Sequence, residues 1–282
     1  MLSRKTIRVA LLLLPVVLVL TGFHSPLLAQ TVKNLAPLPA SATSVATLSV
    51  VRIVCSDRQV AGTGFLHRSG NVITAGHVVD GSLAKNIHLF TSLGETVNVT
   101  SYGVDRDHDI ALIKTDRPIK VPALRTSSQT NFELGMPVIF WGFPGGYGGQ
   151  APLLSVGYLS GVDTLTNASG KPIHRYVING AFNSGNSGGP LLDANGDVMG
   201  VVSSKLAPVP AYIQQALISL SRQASGQTFL KPLPGGRTVS ISQGQLIAEV
   251  LEYLRGQTQL VIGYAVTLGD LNNFFKTNGV TP

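Results

Sequence analysis

The sequence predicts an all-β protein, and three observations support that prediction. Only 12% of the 282 residues are charged and 6% are aromatic, whereas 31 are glycines. Short apolar runs rich in Val, Ile and Thr follow one another along the chain. Turn-forming Gly, Asn, Asp and Ser residues separate these runs. This pattern is typical of a β-sandwich or a closed β-barrel.

The first elements of the chain are a targeting segment and a leader. A basic stretch that ends at Arg8 precedes the apolar run 9–20, and small residues follow, which predicts a secretory signal peptide over 1–29. The run is short for a membrane span, which needs about 20 apolar residues. An uncleaved run that anchors the chain in a membrane is the alternative. Residues 30–44 lack periodicity and predict a flexible leader, so the folded domain is expected over 45–282.

Predicted strands fall into two sets, separated by proline- and serine-rich loops. The first set is 49–55, 62–67, 71–75, 87–90, 97–102 and 110–114; the second is 137–141, 153–160, 175–179, 190–192, 198–203 and 261–266. Strands this short and this closely spaced again favour a sandwich or a barrel.

The strand pattern is interrupted after residue 203 by a segment with helical periodicity. Apolar residues recur at helical spacing after Pro210, Ser242 and Gln245 form a capping-box pattern, and Gly256 is a stop signal. These signals predict a two-helix insertion over 206–257.

The last element predicted is a C-terminal helix. Thr267 with Asp270 is a second capping-box-like start, and Asn278-Gly279 is a typical end.

Charge content argues against a nucleic-acid-binding protein, and cysteine content excludes a domain stabilised by intramolecular disulfides. The formal charge is +7; removing three basic residues of the signal peptide leaves 18 basic against 14 acidic residues, or +4. This excess is too small and too dispersed for a nucleic-acid-binding protein. Cys55 is the only cysteine, so the domain has no intramolecular disulfide. We expect Cys55 to be a buried small hydrophobe rather than a catalytic thiol or a ligand.

Three motifs supply the parts of a serine hydrolase. Ser187 lies in Gly-Asn-Ser-Gly-Gly-Pro, His77 follows Thr-Ala-Gly, and Asp109 begins Asp-Ile-Ala-Leu. A serine hydroxyl needs an imidazole to take its proton, and the imidazole needs a carboxylate to fix its tautomer. We therefore predict Ser187 as nucleophile, His77 as base and Asp109 as the orienting acid.

An esterase or lipase with a G-x-S-x-G elbow is the competing hydrolase. That elbow requires a helix after the serine and a histidine later in the chain. No histidine follows Ser187, and the residues after it predict a strand, a turn and another strand. The alternative fails on both counts.

The order His, Asp, Ser and the flanking residues resemble the trypsin/chymotrypsin-like peptidases, most closely the bacterial HtrA/Deg-type protease domain. The segments that carry the likeness are 63–65, 72–79, 142–145, 155–161 and 183–192. The resemblance implies two six-stranded antiparallel β-barrels, about 45–125 and about 135–268, with the helical insertion and the C-terminal helix added. It does not extend to the PDZ module of HtrA proteins, which we do not expect here.

The resemblance also implies roles at the site. The backbone N–H groups of Gly185 and Ser187 are the expected oxyanion-hole donors. Asp105 and Asp107 compete with Asp109 for the orienting role, but only Asp109 begins the Ile-Ala-Leu-Ile run that the family shows there.

Substrate selection is expected to depend on four residues. Ala181 would lie at the base of the primary pocket, and Ser203, Ser204 and Lys205 would form a wall. Without an acid at 181, a small or medium apolar substrate side chain is favoured over Arg or Lys. Asn186 stands where many zymogen enzymes carry Asp, so no processed N-terminus should be required.

The resulting hypothesis is an exported serine endopeptidase that hydrolyses proteins or peptides through an acyl-enzyme, with neither a metal nor an organic cofactor. The resemblance adds a homo-oligomer as an expectation. Two rivals stay open: a protein-binding or adhesion module with a latent triad, and a membrane-anchored quality-control factor whose insertion recruits clients. The insertion itself is either a decoration that stiffens the second barrel or a lid or exosite that controls substrate entry.

Overall fold

The computed structural model describes residues 40–167, 169–205, 211–223, 226–233, 237–257 and 260–281. The predicted signal peptide 1–29 and most of the predicted leader lie outside this part of the chain. Within it, no helix combines the length and the apolar character that crossing a bilayer requires.

The first half of the chain forms a closed six-stranded antiparallel barrel. Helix α1 (Ala40–Ser49) leads into it, and the short helix α2 (Gly76–Val79) follows its third strand. Its strands are β1 (Val50–Cys55), β2 (Val60–Leu66), β3 (Val72–Ala75), β4 (Ile87–Thr91), β5 (Thr96–Asp105) and β6 (Ile110–Thr115), in the order β1-β2-β3-β6-β5-β4. A 3₁₀ turn, Ala84–Asn86, precedes β4.

The second half forms another closed antiparallel barrel of six strands. They are β7 (Pro137–Gly142), β8 (Leu153–Thr166), β9 (Pro172–Phe182), β10 (Pro190–Leu192), β11 (Val198–Lys205) and β14 (Leu260–Thr267), in the order β10-β11-β14-β9-β8-β7. The fold predicted from the sequence, two six-stranded barrels, is therefore confirmed.

The flexible leader predicted for 30–44 is wrong where it overlaps α1. Ala46 is fully buried there and Val45 packs against the core. The Ser49 hydroxyl lies 2.7 Å from both Val45 O and Pro122 O. This packing stabilises a helix whose sequence carries no strong helical signal, because burial against the barrels outweighs local propensity.

Each barrel has its own interior, and a further cluster joins them. We call this cluster the shared core; it includes Val50 and Phe65 from the first barrel and Trp141, Phe143 and Val266 from the second. The barrels thus pack through apolar side chains along the line where the site lies.

The insertion differs from the two helices expected over 206–257. Helices α3 (Ala211–Arg222) and α4 (Gln243–Gln257) are present, but a β-hairpin, β12 (Thr228–Pro232) with β13 (Thr238–Ser242), lies between them. The capping box at α4 is formed: Ser242 N donates to Gln245 Oε1 at 2.8 Å, and Gln245 N to Ser242 Oγ at 3.2 Å. Helical periodicity does not reveal a hairpin of five-residue strands.

Helix α5 (Leu268–Thr277) follows β14 and packs against the first barrel. Asp270 N donates to Thr267 Oγ1 at 3.2 Å, which is the expected start. The Phe275 ring stacks on His67 of the first barrel with centroids 4.6 Å apart. The C-terminal helix therefore ties the second barrel to the first.

Candidate active site

His77 is positioned by an abrupt change from strand to helix. β3 ends at Ala75, and α2 begins at Gly76, whose N–H donates to Asp109 O at 3.0 Å. A Cβ at Gly76 would lie only 3.2 Å from Asp109 Oδ1, so the glycine permits the approach of the Asp109 chain. The His77 side chain is left 49% exposed at the cleft.

Asp109 binds His77 through both carboxylate oxygens. His77 Nδ1 lies 2.9 Å from Oδ2 and 3.1 Å from Oδ1, and the His77 backbone N–H donates to Oδ1 at 2.8 Å. Asp109 adopts a left-handed φ of +55°, a conformation that Asp tolerates better than most residues. The carboxylate therefore fixes both the position and the tautomer of the imidazole.

The two neighbouring acids have other contacts. Asp105 accepts from the Asp107 and His108 backbone N–H groups at 3.0 and 3.1 Å, and its Oδ2 lies 2.7 Å from His108 Nδ1. Asp107 accepts from Asn167 Nδ2 at 2.9 Å. Of these three neighbouring aspartates, only Asp109 is hydrogen-bonded to His77 in the described structure. His108 pairs with Asp105 and does not take part in the contact with His77.

The Ser187 loop is shaped by glycines that no other residue can replace without strain. Gly185 and Gly188 have φ values of +95° and +88°. A Cβ at Gly185 would collide with Phe143 O, and one at Gly188 with Thr63 O and Thr74 Oγ1. This close packing against backbone on both sides determines the path of the loop.

Two backbone N–H groups at or near Ser187 have no acceptor among the described residues. The neighbouring N–H groups of Asn186, Gly188 and Gly189 donate to Asn183, Val202 and Asn186 respectively. Within the described residues, the N–H groups of Gly185 and Ser187 donate to nothing. Such free donors flanking a serine suit an oxyanion that forms next to it.

No hydrogen bond joins Ser187 Oγ to His77 among the described residues. Ser187 is partly buried, and its carbonyl accepts from Thr63 N at 2.9 Å. Hydrogen bonds between nucleophile and base are often long without substrate and shorten when it binds.

A model of the trypsin-like peptidase domain family matches residues 62–201. This span begins before His77 and ends beyond Ser187, so it includes all three motifs. The chain carries a trypsin-like peptidase domain.

Relatives and solved structures agree with this assignment. The chain is 30% identical over 222 residues to the serine protease HTRA1B of Danio rerio, covering 72% of this chain and 44% of that protein. It is 30% identical over 143 residues to the periplasmic serine endoprotease DegP of Salmonella typhimurium, covering 49% of this chain and 28% of that protein. The active form of the Rv3671c protease from M. tuberculosis has the same fold, with a TM-score of 0.58 and 21% identity over 86% of this chain and 85% of that chain.

The peptidase domain accounts for only part of these relatives. The chain spans 34%, 44% and 50% of the length of three curated relatives, the first being a chloroplastic Do-like protease of Arabidopsis thaliana. What the longer proteins do as a whole is therefore not established for this chain by similarity.

Thr63 links the two halves of the candidate site, and the sequence analysis did not single it out. Its hydroxyl donates to Gly185 O at 2.6 Å and accepts from Phe143 N at 3.0 Å. Its own N–H donates to Ser187 O. A buried threonine in a strand carries no local sign of these contacts; only its place before Gly64-Phe65 in the family pattern could have pointed to it.

Ser203 has a contact that the sequence analysis did not foresee. Ser203 was expected on the pocket wall. Its hydroxyl donates to Asp109 Oδ2 at 2.5 Å. Burial by itself would raise the pKa of Asp109, but the hydrogen bonds from His77 and Ser203 stabilise the carboxylate and hold its pKa below the usual range. Asp109 therefore stays ionised while it orients His77.

The remaining pocket residues are placed as follows. Ala181 is half-buried on β9, next to Phe182, whose ring stacks on Phe140 at 4.6 Å. Ser204 and Lys205 belong to β11, but their side chains lie outside the described part of the chain. Asn186 is buried beside Gly142.

In the described part of the chain, no group of His, Cys, Asp and Glu is arranged to hold a metal ion. The Cys55 thiol is buried in the first barrel, and burial raises its pKa, so it remains a neutral thiol.

Proposed function

We propose that this domain is a serine endopeptidase in which Ser187 attacks the peptide carbonyl, His77 accepts its proton and Asp109 orients His77. The observation that carries the proposal is the Asp109 carboxylate on both the ring and the backbone N–H of His77, at 2.9 and 2.8 Å. A carboxylate bound in this way holds Nδ1 protonated and leaves Nε2 free to act as base.

The next steps follow from the loop around Ser187. As the carbonyl oxygen becomes an oxyanion, the free N–H groups of Gly185 and Ser187 stabilise it. Each such donor is worth about 3–4 kcal/mol of transition-state stabilisation. His77 then gives its proton to the leaving amine. In the second half-reaction, water hydrolyses the acyl-enzyme at Ser187, with His77 again as base and the same N–H groups stabilising the oxyanion.

We propose that the substrates are proteins or peptides with small or medium apolar side chains at the cleaved bond. Ala181 offers no charge to an Arg or Lys side chain at the expected pocket base. A panel of peptide substrates that differ only at this position tests the preference. Faster cleavage after Arg than after Ala or Val would contradict it.

The test of the reaction is fluorophosphonate labelling of the folded protein together with casein cleavage. We expect one label at Ser187, loss of labelling in Ser187→Ala, and full labelling in the control Ser160→Ala, whose hydroxyl donates to Tyr158 O at 3.2 Å. A well-folded protein that takes no label would overturn the proposal.

A binding module with a latent triad is the second candidate, and one observation favours it: Ser187 Oγ and His77 are not hydrogen-bonded in the described structure. Labelling at Ser187 without casein cleavage would support a competent triad behind a closed cleft. Deletion of residues 208–256 then decides whether the insertion is the lid, because cleavage should appear in the deleted, still-folded variant.

We further propose that the chain is exported, since its N-terminus has the layout of a signal peptide and one relative carries the name of a periplasmic endoprotease. Mass spectrometry of the protein after expression in a Gram-negative host tests this. A mature chain that begins at Gln30 is expected, whereas an intact residue 1 would contradict cleavage.

A further inference from the structure

Outside the catalytic cleft, a cavity of about 390 Å³ opens where the two barrels meet. One wall is the outer face of β1 and β4, with Arg52 and Phe90 directly opposite each other in register. The other wall is the loop after β7, with Phe143 and the segment 148–150. Its volume lies in the range of about 300–1,000 Å³ that is usual for small-molecule sites.

Arg52 interrupts an apolar row. On β1, Val50 packs in the shared core, and Val54 lies two residues beyond Arg52 on the same face of the strand. The alternation of the strand thus directs Arg52 to the border of an apolar interface, where an aliphatic residue would pack better. A guanidinium held there needs a reason other than packing.

The charge of Arg52 is not matched by the protein. Across the part of the chain that the structure describes, its guanidinium forms no ion pair or hydrogen bond, and no residue lining the cavity is acidic. The nearby Glu95 is already paired with Arg117 at 3.3 Å. A half-buried guanidinium without a counter-ion is a strong site for a carboxylate, which it binds through two parallel hydrogen bonds.

The rest of the wall defines the ligand further. Phe90 and Val54 offer apolar surface, whereas the Phe143 ring is buried in the shared core. Gly148, beside Gly149, has nothing within 4 Å of its Cβ position and leaves room for a close approach. The N–H groups of these two glycines donate to no backbone carbonyl among the described residues. The cavity therefore combines one cation and free backbone donors with a wall that is partly apolar and partly polar.

We propose that this cavity is a binding site for an organic carboxylate with an apolar body, of the size of an N-acylated aromatic or aliphatic amino acid. The cavity is distinct from the catalytic cleft, but two of its lining residues contact or pair with Thr63, which also positions the Ser187 loop. Arg52 pairs in register with Thr63, whose hydroxyl holds Gly185, and Phe143 donates its N–H to that hydroxyl.

The test is calorimetric titration of the full chain with N-acetyl-L-phenylalanine, its uncharged amide and inorganic phosphate. We expect the acid to bind at least tenfold more tightly than either control, because only the acid has both the charge and the ring. Acetyl-Ala-Ala-Phe carries the same carboxylate at the end of a chain. Tighter binding than the single residue identifies peptide C-termini as the source, and equal or weaker binding identifies free small carboxylates.

Two variants assign the binding to this cavity. Arg52→Gln should reduce affinity for the acid at least tenfold, to that of the amide, and Lys120→Gln, an exposed basic residue of the same barrel, should leave it unchanged. Gly148→Leu keeps Arg52 and has space at its Cβ, so it should block the cavity without unfolding the protein. Equal affinity for acid and amide, equal affinity for acid and phosphate, no binding of the acid, or binding unaffected by Arg52→Gln would each overturn the proposal. Because the readout is affinity, the result does not depend on peptidase activity.

Discussion

The two halves of the site are held in place in different ways. The first-barrel half, His77 and Asp109, is held by side-chain hydrogen bonds of 2.8 to 3.1 Å and lies partly open to solvent. The second-barrel half, the Ser187 loop, is held by backbone contacts and by glycines packed so closely that a Cβ would collide with neighbouring backbone.

Because of this difference, we expect substitutions in the two halves to affect different quantities, namely the reaction rate and the free energy of unfolding. In the first half, a substitution can remove a charge while the backbone keeps its path. In the second half, adding one methyl group must displace the backbone itself. Variants in the first half should therefore lose rate with little loss of stability, and variants in the second half should lose stability first.

The largest expected effect is that of Asp109→Asn. The amide no longer holds the correct tautomer of His77, so kcat/KM should fall about 10⁴-fold. The free energy of unfolding at pH 7 should change far less, because Asn has nearly the same shape. Peptide hydrolysis and urea titration measure the two quantities. The control Asp107→Asn, which alters a contact with Asn167, should keep the wild-type rate; similar losses in both variants would break the comparison.

The next effect is on stability, in Gly188→Ala. Its Cβ would meet Thr63 O and Thr74 Oγ1 while φ stays at +88°, so we expect a loss of about 4 kcal/mol or more in the free energy of unfolding. Gly70→Ala is the matched control: its φ is +82°, but nothing lies within 4 Å of its Cβ. That variant should lose only about 1–2 kcal/mol, the cost of the left-handed conformation. Equal losses in urea titrations would show that crowding does not determine the loop.

A third prediction compares two histidines of the first barrel. His77 has a carboxylate beside it, whereas His67 is fully buried against Phe275, and its Nε2 has no partner in the described structure. Burial lowers the pKa of His67 to about 4. In the unfolded chain a histidine gains its proton near pH 6.5. Between these values the unfolded state binds more protons, so the free energy of unfolding decreases as the pH falls.

The decrease should amount to about 3 kcal/mol between pH 6.5 and pH 4 and then level off. Urea titrations at several pH values measure it. His67→Leu should flatten this part of the profile, and His174→Gln, on the exposed face of β9, should not. A profile that His67→Leu leaves unchanged would contradict the assignment.

The smallest effect is expected where the two halves meet, at Ser203→Ala. A hydrogen bond to a charged group contributes about 2 kcal/mol, so kcat/KM should fall about 30-fold. Without this donor the pKa of Asp109 should rise, which a pH titration of the Asp109 carboxyl carbon signal by NMR measures. Ser160→Ala serves as the control. A lower rate with an unchanged pKa of Asp109 would indicate that Ser203 shapes the pocket and does not act on Asp109.

Much of the fold and the candidate site could be predicted from sequence because the signals are local. Alternating apolar residues and turn signals indicate the strands of both barrels, and the motifs around His77, Asp109 and Ser187 each lie within a few residues. The caps at Ser242 and Thr267 are likewise local patterns, and the structure forms both. Helix α1 and the hairpin β12–β13 were missed because tertiary packing or short length hides their signal.

What the sequence by itself determined is the set of candidate catalytic groups, the absence of an intramolecular disulfide and, through the family resemblance, the two barrels that carry the candidate site. Only the tertiary structure decided how those groups are held. The Ser203–Asp109 and Thr63–Gly185 contacts join residues 94 and 122 positions apart, and the Arg52 cavity forms only where two barrels meet. The physical reason is that strand periodicity and motif chemistry act over a few residues, whereas such contacts depend on how two closed barrels pack against each other.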